Sequence, residues 1–367
     1  MKIVFCTQNM APFRMQWMDE VAKYHEVVIY HLDEYESGVN KKYISYVPKR
    51  AKVYCEKRKN AFFGLIYNEI KIIEENADVY ILDGYGFKAQ QHLILTLNKK
   101  RIPFIISVDG GFVNFGENLI KKNIKKFIMR KAGAYLSTSI ETDKFIRYYA
   151  GADIKIYRHL FSSVTNEYIE HEPADLFVKR ELRKELGMSD QYSIITVGKF
   201  EKRKGFDLLI EAAKKVTGEY KIYFIGASNN EIYQKLITKD IENKIEFIDF
   251  CDKNKLKKYY RASDLFILPT REDIWGLVIP EAMANGIPVV TTDRCLAGVA
   301  MLEKNEIMRT ENIDDIVLKL NEQMNLTDKD RQIIGLRNIN KTKEYSIENA
   351  TNKDIENFKE FQKNSKA

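Results

Sequence analysis

Short runs of β-branched and aromatic residues alternate along the chain with longer segments of helical periodicity. Each run is nearly continuous in apolar residues, which is typical of parallel strands that are covered on both faces. The first half predicts strands at Ile3–Thr7, Val27–Leu32, Val79–Leu82, Phe104–Val108 and Tyr135–Ser139. The second half predicts strands at Ser193–Gly198, Lys221–Gly226, Ile245–Phe250, Leu265–Pro269 and Pro288–Thr292. Helical patterns lie between them, for example at Met15–Tyr24, Phe206–Val216 and Lys255–Arg261.

The alternation of strand and helix occurs twice, which predicts an α/β protein with two Rossmann-like domains, each a doubly wound parallel sheet. We place these domains at residues 1–170 and 171–345, because a proline and several charges interrupt the apolar pattern in EHEPAD, Glu170–Asp175. Residues 346–367 carry a further polar helix, with its pattern over Ile347–Phe361, that we expect to return to the first domain. Two such domains are expected to face a cleft at the carboxyl ends of their strands, where ligands bind.

The composition excludes several classes of protein. Hydrophobic residues make up 45% and aromatic residues 12% of the 367 positions, which excludes a mainly disordered chain. The four cysteines are scattered without a CxxC pair, at Cys6, Cys55, Cys251 and Cys295. This pattern argues against a disulfide scaffold or a zinc site. The opening MKIVFCTQNMAP has too short an apolar run for a signal peptide, so we expect a cytoplasmic protein.

Positive charge is concentrated in the first half of the chain. Residues 1–170 hold 26 basic and 19 acidic residues, whereas residues 171–367 hold 33 of each. The whole excess of +7 therefore lies in the first half. This asymmetry indicates an anionic partner for that half.

A basic segment follows the strand Ser193–Gly198, in the run VGKFEKRKGFDLLIEA. It places Lys199, Arg203 and Lys204 between a strand and the start of a helix, where free N–H groups and the helix dipole favour an anion. Lys199 and Lys204 could hold the phosphates of a leaving diphosphate, and a solvated basic turn is the alternative. Because the run lacks GxGxxG, a hydride-transferring dinucleotide enzyme is disfavoured.

The second informative segment is ILPTREDIWGLVIPEAMANGIPVVTTD, from Ile267 to Asp293. Gly276 allows backbone N–H groups to approach a ligand closely. Pro280 fits the first turn of a helix, and Glu281 follows it. A carboxylate there can accept hydrogen bonds from a vicinal diol such as a ribose. The alternatives are a helix-start acid for Glu281 and a core aromatic for Trp275.

Together these segments resemble the family 4 glycosyltransferases, which have the two-domain GT-B fold, and within them the bacterial surface-polysaccharide branch. The acidic-x7-Glu pattern of the family is present as Asp273 and Glu281. The family usually has glutamate at both ends, so Asp273 is a departure, and Glu272 lies one position off the spacing. The resemblance extends to the opening loop Asn9–Pro12 and to the strand entry at Asp264.

The resemblance implies a role for each matching residue. Lys199 and Lys204 would neutralise the donor diphosphate, Glu281 would bind the ribose, and Asp273 would contact the transferred sugar. The remaining donor contacts would come from Gly198, Arg203 and the backbone of Trp275, Gly276, Leu277 and Val278.

The resemblance also implies the reaction. It is transfer of a sugar, with retention of configuration, from a nucleotide sugar, with UDP as the first expectation and GDP as the second. The acceptor would be an oligosaccharide or a polyprenyl-diphosphate-linked glycan in capsule, exopolysaccharide or O-antigen synthesis. No metal or other cofactor is expected. Asp328 and Asp330 form the sole Asp-x-Asp of the sequence, which is more typical of a helix start than of a metal site.

In the first domain, Asp109 stands where many relatives carry a histidine. It follows a predicted strand and could meet an acceptor hydroxyl, or form a simple Asp-Gly turn with Gly110. Asn9 and Arg14 are candidates for contacts to phosphate or acceptor. A solvated helix-start residue is the alternative for Arg14.

Two basic clusters lie in the first half. Residues 41–59 hold eight basic residues and one acid, and residues 119–131 hold six basic residues and no acid. On a helix, Ile120, Ile124, Phe127 and Ile128 share one face, and the other carries Lys121, Lys122, Lys125, Lys126 and Arg130. Such a helix can lie on an anionic membrane, here the inner face of the cell membrane, or pack through its apolar face onto the sheet. Nucleic acid is disfavoured because no binding signature accompanies the tyrosines among these charges, Tyr43, Tyr46 and Tyr54.

Other functions remain open on the same fold. An epimerase or a phosphorylase is a related possibility, although the lysine context of a phosphorylase cofactor is missing. A non-catalytic subunit that binds nucleotide sugar or docks another transferase is the alternative from a different class. Asp273 and the missing histidine favour it, and hydrolysis of the donor would discriminate against it.

Overall fold

The computed structural model describes residues 1–32, 46–226 and 231–366. The chain forms two compact units. Unit 1 comprises Met1–Ser162 together with Ile347–Ala367, and unit 2 comprises Ser163–Ser346. Residues 41–45, at the start of the first basic cluster and including Lys41, Lys42 and Tyr43, lie outside the described residues.

Unit 1 is built on a parallel sheet of seven strands in the order β3-β2-β1-β6-β7-β8-β9. A separate antiparallel hairpin is formed by β4 and β5. The strands are β1 (Lys2–Thr7), β2 (Glu26–His31), β3 (Lys52–Tyr54), β4 (Lys57–Asn60), β5 (Gly64–Tyr67), β6 (Val79–Asp83), β7 (Ile105–Val108), β8 (Ala134–Ser137) and β9 (Ile156–Arg158). The helices are α1 (Pro12–Val21), α2 (Glu69–Glu74), α3 (Lys88–Lys99), α4 (Leu119–Met129), α5 (Ile140–Ala150) and, at the end of the chain, α14 (Ile347–Lys366).

Unit 2 is built on a parallel sheet of six strands in the order β12-β11-β10-β13-β14-β15. The strands are β10 (Tyr192–Val197), β11 (Tyr220–Ile225), β12 (Ile245–Ile248), β13 (Leu265–Leu268), β14 (Val289–Thr292) and β15 (Ile307–Met308). The helices are α6 (Leu176–Leu186), α7 (Phe206–Ala213), α8 (Glu231–Gln234), α9 (Lys253–Ala262), α10 (Val278–Ala284), α11 (Leu296–Met301), α12 (Ile313–Met324) and α13 (Asp328–Glu344). Short 3-10 helices occur at Lys202–Lys204, Glu242–Lys244 and Lys304–Glu306.

All ten predicted strands are present, with ends shifted slightly. Their residues are almost fully buried because helices cover both faces of each sheet. The strands that the pattern missed are short, namely β3, β4, β5, β9 and β15. Many helices begin where a polar side chain accepts hydrogen bonds from the first free N–H groups. These caps are Asn118, Ser139, Asp175, Asp252, Asn312 and Thr327.

Unit 1 ends at Ser162, earlier than the predicted boundary at residue 170. The reason is that Val164, Tyr168 and Ile169 are buried in one cluster with Ala284 and Ile339 of unit 2. The charges beyond this point also bind within unit 2, since Glu170 pairs with Lys257 and Arg261 at 2.7 and 2.6 Å. The break in apolar periodicity therefore marks a segment anchored to unit 2, not the junction itself.

The last helix, α14, belongs to unit 1. Its residues Ile347, Phe358 and Phe361 are buried in one cluster with the strand residues Ile3 and Phe5. Asp354 of the same helix is fully buried, where it accepts a hydrogen bond from Trp17 at 2.9 Å and pairs with His159 at 2.8 Å. Apolar packing and the two buried polar contacts of Asp354 thus fasten the end of the chain to unit 1.

Each sheet has a point at which the strand order reverses. In unit 1, β1 lies between β2 and β6, and in unit 2, β10 lies between β11 and β13. Connections leave such a pair of strands in opposite directions, so a crevice opens beyond their carboxyl ends. The residues that follow β1, β6, β10 and β13 are therefore placed to meet a ligand.

Candidate functional site

One cation at the crevice of unit 2 is Lys204. It ends the 3-10 helix Lys202–Lys204, and its side chain folds back beneath Gly198, the first residue after β10. A Cβ atom built on Gly198 would lie 3.4 Å from Cε of Lys204, which is an ordinary van der Waals contact, so the lysine stem packs directly against this residue. Lys199, by contrast, is exposed and has no ion-pair partner among the described residues.

Lys204 is paired with Asp273. Its Nζ lies 2.5 Å from Oδ2 of Asp273, and each of the two side chains is only 11% exposed. Arg203 approaches the other oxygen, with Nη1 3.5 Å from Oδ1, and donates to the carbonyl of Glu272 at 3.0 Å. The structure therefore brings together three residues that the sequence singled out separately. The attraction between Lys204 and Asp273 is strong because little water screens that pair, whereas the Arg203 side chain is 45% exposed.

The turn that carries Lys204 depends on Gly205. Its φ is +70°, and a Cβ atom there would lie 1.9 Å from the carbonyl oxygen of Pro269, directly after β13. Both the backbone angle and the contact exclude other residues. The chain thus passes from Lys204 into α7 in contact with the backbone that leads to Asp273.

The amino end of α7 is not free for an anion, contrary to the sequence expectation. Asp207, in its first turn, accepts hydrogen bonds from its own N–H and that of Leu208. The carboxylate also pairs with Arg271 through two contacts of 2.8 Å. Burial raises the pKa of Asp207, but the bonds from Arg271 outweigh it and the pKa is lowered. Because this carboxylate already compensates the helix dipole, Lys204 is the better candidate to hold an anion.

The loop after Asp273 is fixed to the start of α11. The N–H of Asp273 donates to the carbonyl of Arg294 at 2.8 Å, and the carbonyl of Trp275 accepts from Ala297 at 2.8 Å. Gly276 has φ of +93°, and a Cβ atom there would lie 2.6 Å from Sγ of Cys295. The Trp275 side chain is buried, so the alternative of a core aromatic holds for its ring.

Helix α10 begins at Val278, two residues before the predicted start at Pro280. Pro280 lies in the first turn, where its missing N–H costs nothing. The N–H groups of Gly276, Leu277 and Val278 have no acceptor among the residues that the structure describes. These backbone donors are therefore available near the Lys204–Asp273 pair.

Glu281 lies in the first turn of α10 and is half-buried. Its Oε1 accepts a hydrogen bond from Oγ of Ser163 at 2.9 Å. Burial raises the pKa of Glu281, while Lys253, the Ser163 hydroxyl and Lys204 oppose that rise. The sequence analysis missed Ser163 and Lys253. Ser163 carries no sequence signal, and Lys253 looks like any basic residue at a helix start.

A second charged group lies at the crevice of unit 1. Arg14 donates to both Asp83, at the end of β6, and Asp109, just after β7. Asp83 also accepts from Thr7, the last residue of β1, at 2.8 Å. Burial lowers the pKa of Arg14, but Asp109 and Asp83 more than offset this and raise it. The alternative of a solvated Arg14 is therefore wrong.

Asp83 is the member of this group that the sequence analysis missed. Burial raises the pKa of Asp83 to about 6, with Arg14 opposing the rise and Asp109 adding to it. The signal was present, because an acid directly after a buried strand lies at the sheet edge. Oδ1 of Asp109 is buried without a hydrogen-bond partner among the described residues, so this oxygen can accept from a ligand. Among these residues, the hydrogen bond found for Asn9 is accepted by its carbonyl from Thr7 at 3.2 Å, and none is found for Gly110.

Helix α4 leaves most of its apolar side chains exposed and turns several of its lysines toward the protein. Leu119, Ile120, Ile124 and Phe127 are between 51 and 73% exposed. The lysines instead lie against aromatic rings of α5, with Nζ of Lys125 4.3 Å from the ring centre of Tyr149. Lys122 and Lys126 lie 4.7 and 5.4 Å from the ring of Tyr148. The alternative in which the apolar face packs onto the sheet therefore holds only for Ile128, which is buried in the core of unit 1. Lys121 and Arg130, which the sequence placed on the basic face, are exposed.

Two further expectations concern metal sites and membranes. Asp328 and Asp330 begin α13, and Asp330 forms a capping box with Thr327, which confirms the helix-start interpretation. No group of three metal-ligating side chains is found within residues 1–32, 46–226 and 231–366. Over the same residues, no helix combines the length and the apolar character needed to cross a membrane.

Residues 178–340 match the family described as Glycosyl transferases group 1. The chain thus contains a region, the group 1 domain, that is similar to this family. This group 1 domain includes Lys204, Asp273 and Glu281, so the paired charges of unit 2 lie within the matched region. The match is to group 1 as a whole, and the expectation of family 4 is more specific than that.

Comparison with other proteins also finds glycosyltransferases. An "Uncharacterized glycosyltransferase" of Haemophilus influenzae is 27% identical over 282 residues, 70% of this chain and 77% of that protein. The O-antigen biosynthesis glycosyltransferase WclY of Escherichia coli is 33% identical over 116 residues, 30% of this chain and 31% of that protein. Among solved structures, Anabaena Alr3699/HepE in complex with UDP has a TM-score of 0.76 at 15% identity, covering 98% of this chain and 100% of that one. The fold is GT-B, as predicted.

Proposed function

We propose that the protein is a retaining, metal-independent glycosyltransferase of family 4 that uses a nucleotide-sugar donor. The observation that carries this proposal is the pairing of Lys204 with Asp273 beside Glu281, inside the group 1 domain. Such a donor would be bound through three charged groups. These are a cation for the diphosphate, a carboxylate for the transferred sugar and a carboxylate for the ribose. Retention of configuration is inferred from the resemblance to the family.

The chemistry follows from where charge develops. When the bond between the anomeric carbon and the diphosphate oxygen breaks, the sugar gains oxocarbenium character and the diphosphate gains negative charge. Lys204, with Lys199 and Arg203 at the rim, would stabilise the leaving diphosphate. The free N–H groups of Gly276, Leu277 and Val278 would add hydrogen bonds to the donor. Asp273 would then accept from hydroxyls of the transferred sugar.

UDP is the nucleotide that we favour, with GDP second. The solved structure of Anabaena Alr3699/HepE, which shares this fold, contains UDP. We place the reaction in the synthesis of a surface polysaccharide, such as capsule, exopolysaccharide or O-antigen. The relative from Escherichia coli, which acts in O-antigen biosynthesis, supports this placement.

Unit 1 is proposed to receive the acceptor, a glycan or a polyprenyl-diphosphate-linked oligosaccharide. The partnerless oxygen of Asp109, held by Arg14, would accept from an acceptor hydroxyl. The exposed apolar residues of α4, next to exposed Lys121 and Arg130, suit the inner face of an anionic membrane. A cytoplasmic protein with a peripheral position on that membrane follows from this proposal.

The test is a thermal-shift and hydrolysis panel of UDP-, GDP- and dTDP-sugars. One donor should raise the melting temperature, because a ligand that binds only the folded state stabilises it. The same donor should be slowly hydrolysed, and Glu281→Ala and Lys204→Ala should lose both effects. Lys202→Ala, on the same 3-10 helix but exposed, should keep them. Binding without hydrolysis, even with membrane extract added as acceptor, would favour the non-catalytic subunit.

A further inference from the structure

Ser163 connects two charged residues of unit 2 that lie far apart in sequence. Its hydroxyl donates to Oε1 of Glu281 at 2.9 Å, and its carbonyl oxygen accepts from Nζ of Lys253 at 3.0 Å. Lys253 is the first residue of α9, and Glu281 lies in the first turn of α10. One residue thus holds a carboxylate with its side chain and an ammonium group with its main chain.

The ammonium group of Lys253 is held in place by more than this bond. It lies 4.5 Å from the ring centre of Tyr168, which is a favourable position for a cation. The Tyr168 ring is itself buried, and its hydroxyl accepts from Asn285 at 3.3 Å. Although the Lys253 residue as a whole is exposed, its charged end is therefore fixed beside Ser163.

The charges of Lys253 and Glu281 support each other. Removal of water from the ammonium lowers the pKa of Lys253, and the charge of Glu281 opposes that change. Burial instead raises the pKa of Glu281, and Lys253 is the foremost group that opposes this rise. The other groups that face this carboxyl are the Ser163 hydroxyl, Lys204 and Tyr168.

We propose that Lys253 and Ser163 are positioning residues that keep the Glu281 carboxylate ionised and oriented for the ribose of the donor. The inference rests on the proposed function and adds two residues to its nucleotide site. Because Oε1 of Glu281 already accepts from Ser163, Oε2 is the oxygen that would accept from the ribose hydroxyls. A protonated Glu281 would present a donor in place of an acceptor, and recognition of the diol would fail.

The experiment compares the affinity of the full chain for UDP and for 2′-deoxy- and 3′-deoxy-UDP, by calorimetry from pH 6 to 9. The wild type should prefer UDP by about tenfold or more, since each deoxy analogue loses a hydrogen bond to a charged group. Glu281→Ala should remove the preference at every pH. Lys253→Met should reduce the preference for UDP more at low pH than at high pH, because Glu281 loses the foremost charge that opposes the rise of its pKa on burial. Ser163→Ala should reduce the preference with a smaller dependence on pH.

Matched variants separate positioning from general stability. Lys255→Met removes an exposed charge from the same helix and should leave the preference and its pH profile unchanged. Lys253→Arg keeps the charge and should restore the preference that Lys253→Met loses. If Lys253→Met retains the wild-type preference across the pH range, the inference is wrong while the proposed function stands. If the wild type shows no preference for the ribose hydroxyls with either UDP or GDP, the inference and the proposed function are both overturned.

Discussion

The ammonium group of Lys204 lies 2.5 Å from Oδ2 of Asp273, in a region where both side chains are almost wholly shielded from water. The cation that we assign to the donor diphosphate is therefore held by a carboxylate of the chain itself. Under the proposed function, a diphosphate would compete with Asp273 for Lys204, and the displaced carboxylate would then accept from sugar hydroxyls. Donor binding and the placement of Asp273 would thus be coupled through one ion pair.

The first prediction concerns the stability supplied by this pair. Lys204→Met should lower the free energy of unfolding by about 3 kcal/mol, because it leaves the shielded charge of Asp273 with only the longer contact to Arg203. Urea unfolding followed by circular dichroism measures the change. Lys202→Met, at an exposed lysine of the same 3-10 helix, should have little effect. Adding Asp273→Leu to Lys204→Met should recover part of the loss, and a strictly additive double variant would contradict the pairing.

The second prediction separates backbone strain from steric clash. Gly205 and Gly187 have φ of +70° and +71°, but only Gly205 would place a Cβ atom against backbone, 1.9 Å from the carbonyl oxygen of Pro269. Gly187→Ala should cost about 1 kcal/mol, the usual penalty for a left-handed residue with a side chain. Gly205→Ala should cost several times more and abolish donor binding, because Lys204 must shift with the turn. Equal melting temperatures for the two variants would show that the turn does not need glycine.

The third prediction concerns the outward apolar face of α4. Ile120→Asp with Ile124→Asp should reduce binding to vesicles that contain anionic lipid by tenfold or more, since each isoleucine contributes about 1.5–3 kcal/mol when buried. The melting temperature should hardly change, because both side chains are exposed in the protein. Cosedimentation with vesicles of phosphatidylglycerol and phosphatidylcholine measures the effect. Ile333→Asp with Leu336→Asp, at exposed positions of α13, is the matched control and should bind like the wild type.

The fourth prediction is a pH dependence that arises at Asp83. Burial, opposed by Arg14, raises the pKa of Asp83 from 3.8 to about 6. The folded protein then holds this proton more tightly than the unfolded chain, so Asp83 makes stability fall as the pH rises through that window. Asp83→Asn should flatten the decline, as measured by urea unfolding at pH values from 4 to 7. Asp153→Asn, at an exposed aspartate of the same unit, should leave the profile unaltered. A profile unchanged by Asp83→Asn would contradict the raised pKa.

The α4 helix shows where a periodic pattern stops being informative. Its residues alternate so that apolar and basic side chains occupy opposite faces, and that was correctly predicted. The pattern does not say which face meets the protein. The structure turns Lys122 and Lys125 toward Tyr148 and Tyr149, whose rings accept cations, and leaves Ile120 exposed. This orientation depends on the aromatic residues of α5, which are not part of the sequence of α4.

Ten of the strands, the two parallel sheets and the two segments around Lys204 and Glu281 were determined by the sequence itself. Apolar runs of strand length and helical periodicity are local properties, and each is written within a few neighbouring residues. The tertiary structure alone decided that Lys204 pairs with Asp273, that Arg14 joins Asp83 to Asp109, and that Ser163 and Lys253 hold Glu281. These partners come from segments that the strand order brings together at the sheet edges. Contacts of this kind have no period along the chain, so only the folded arrangement can show them.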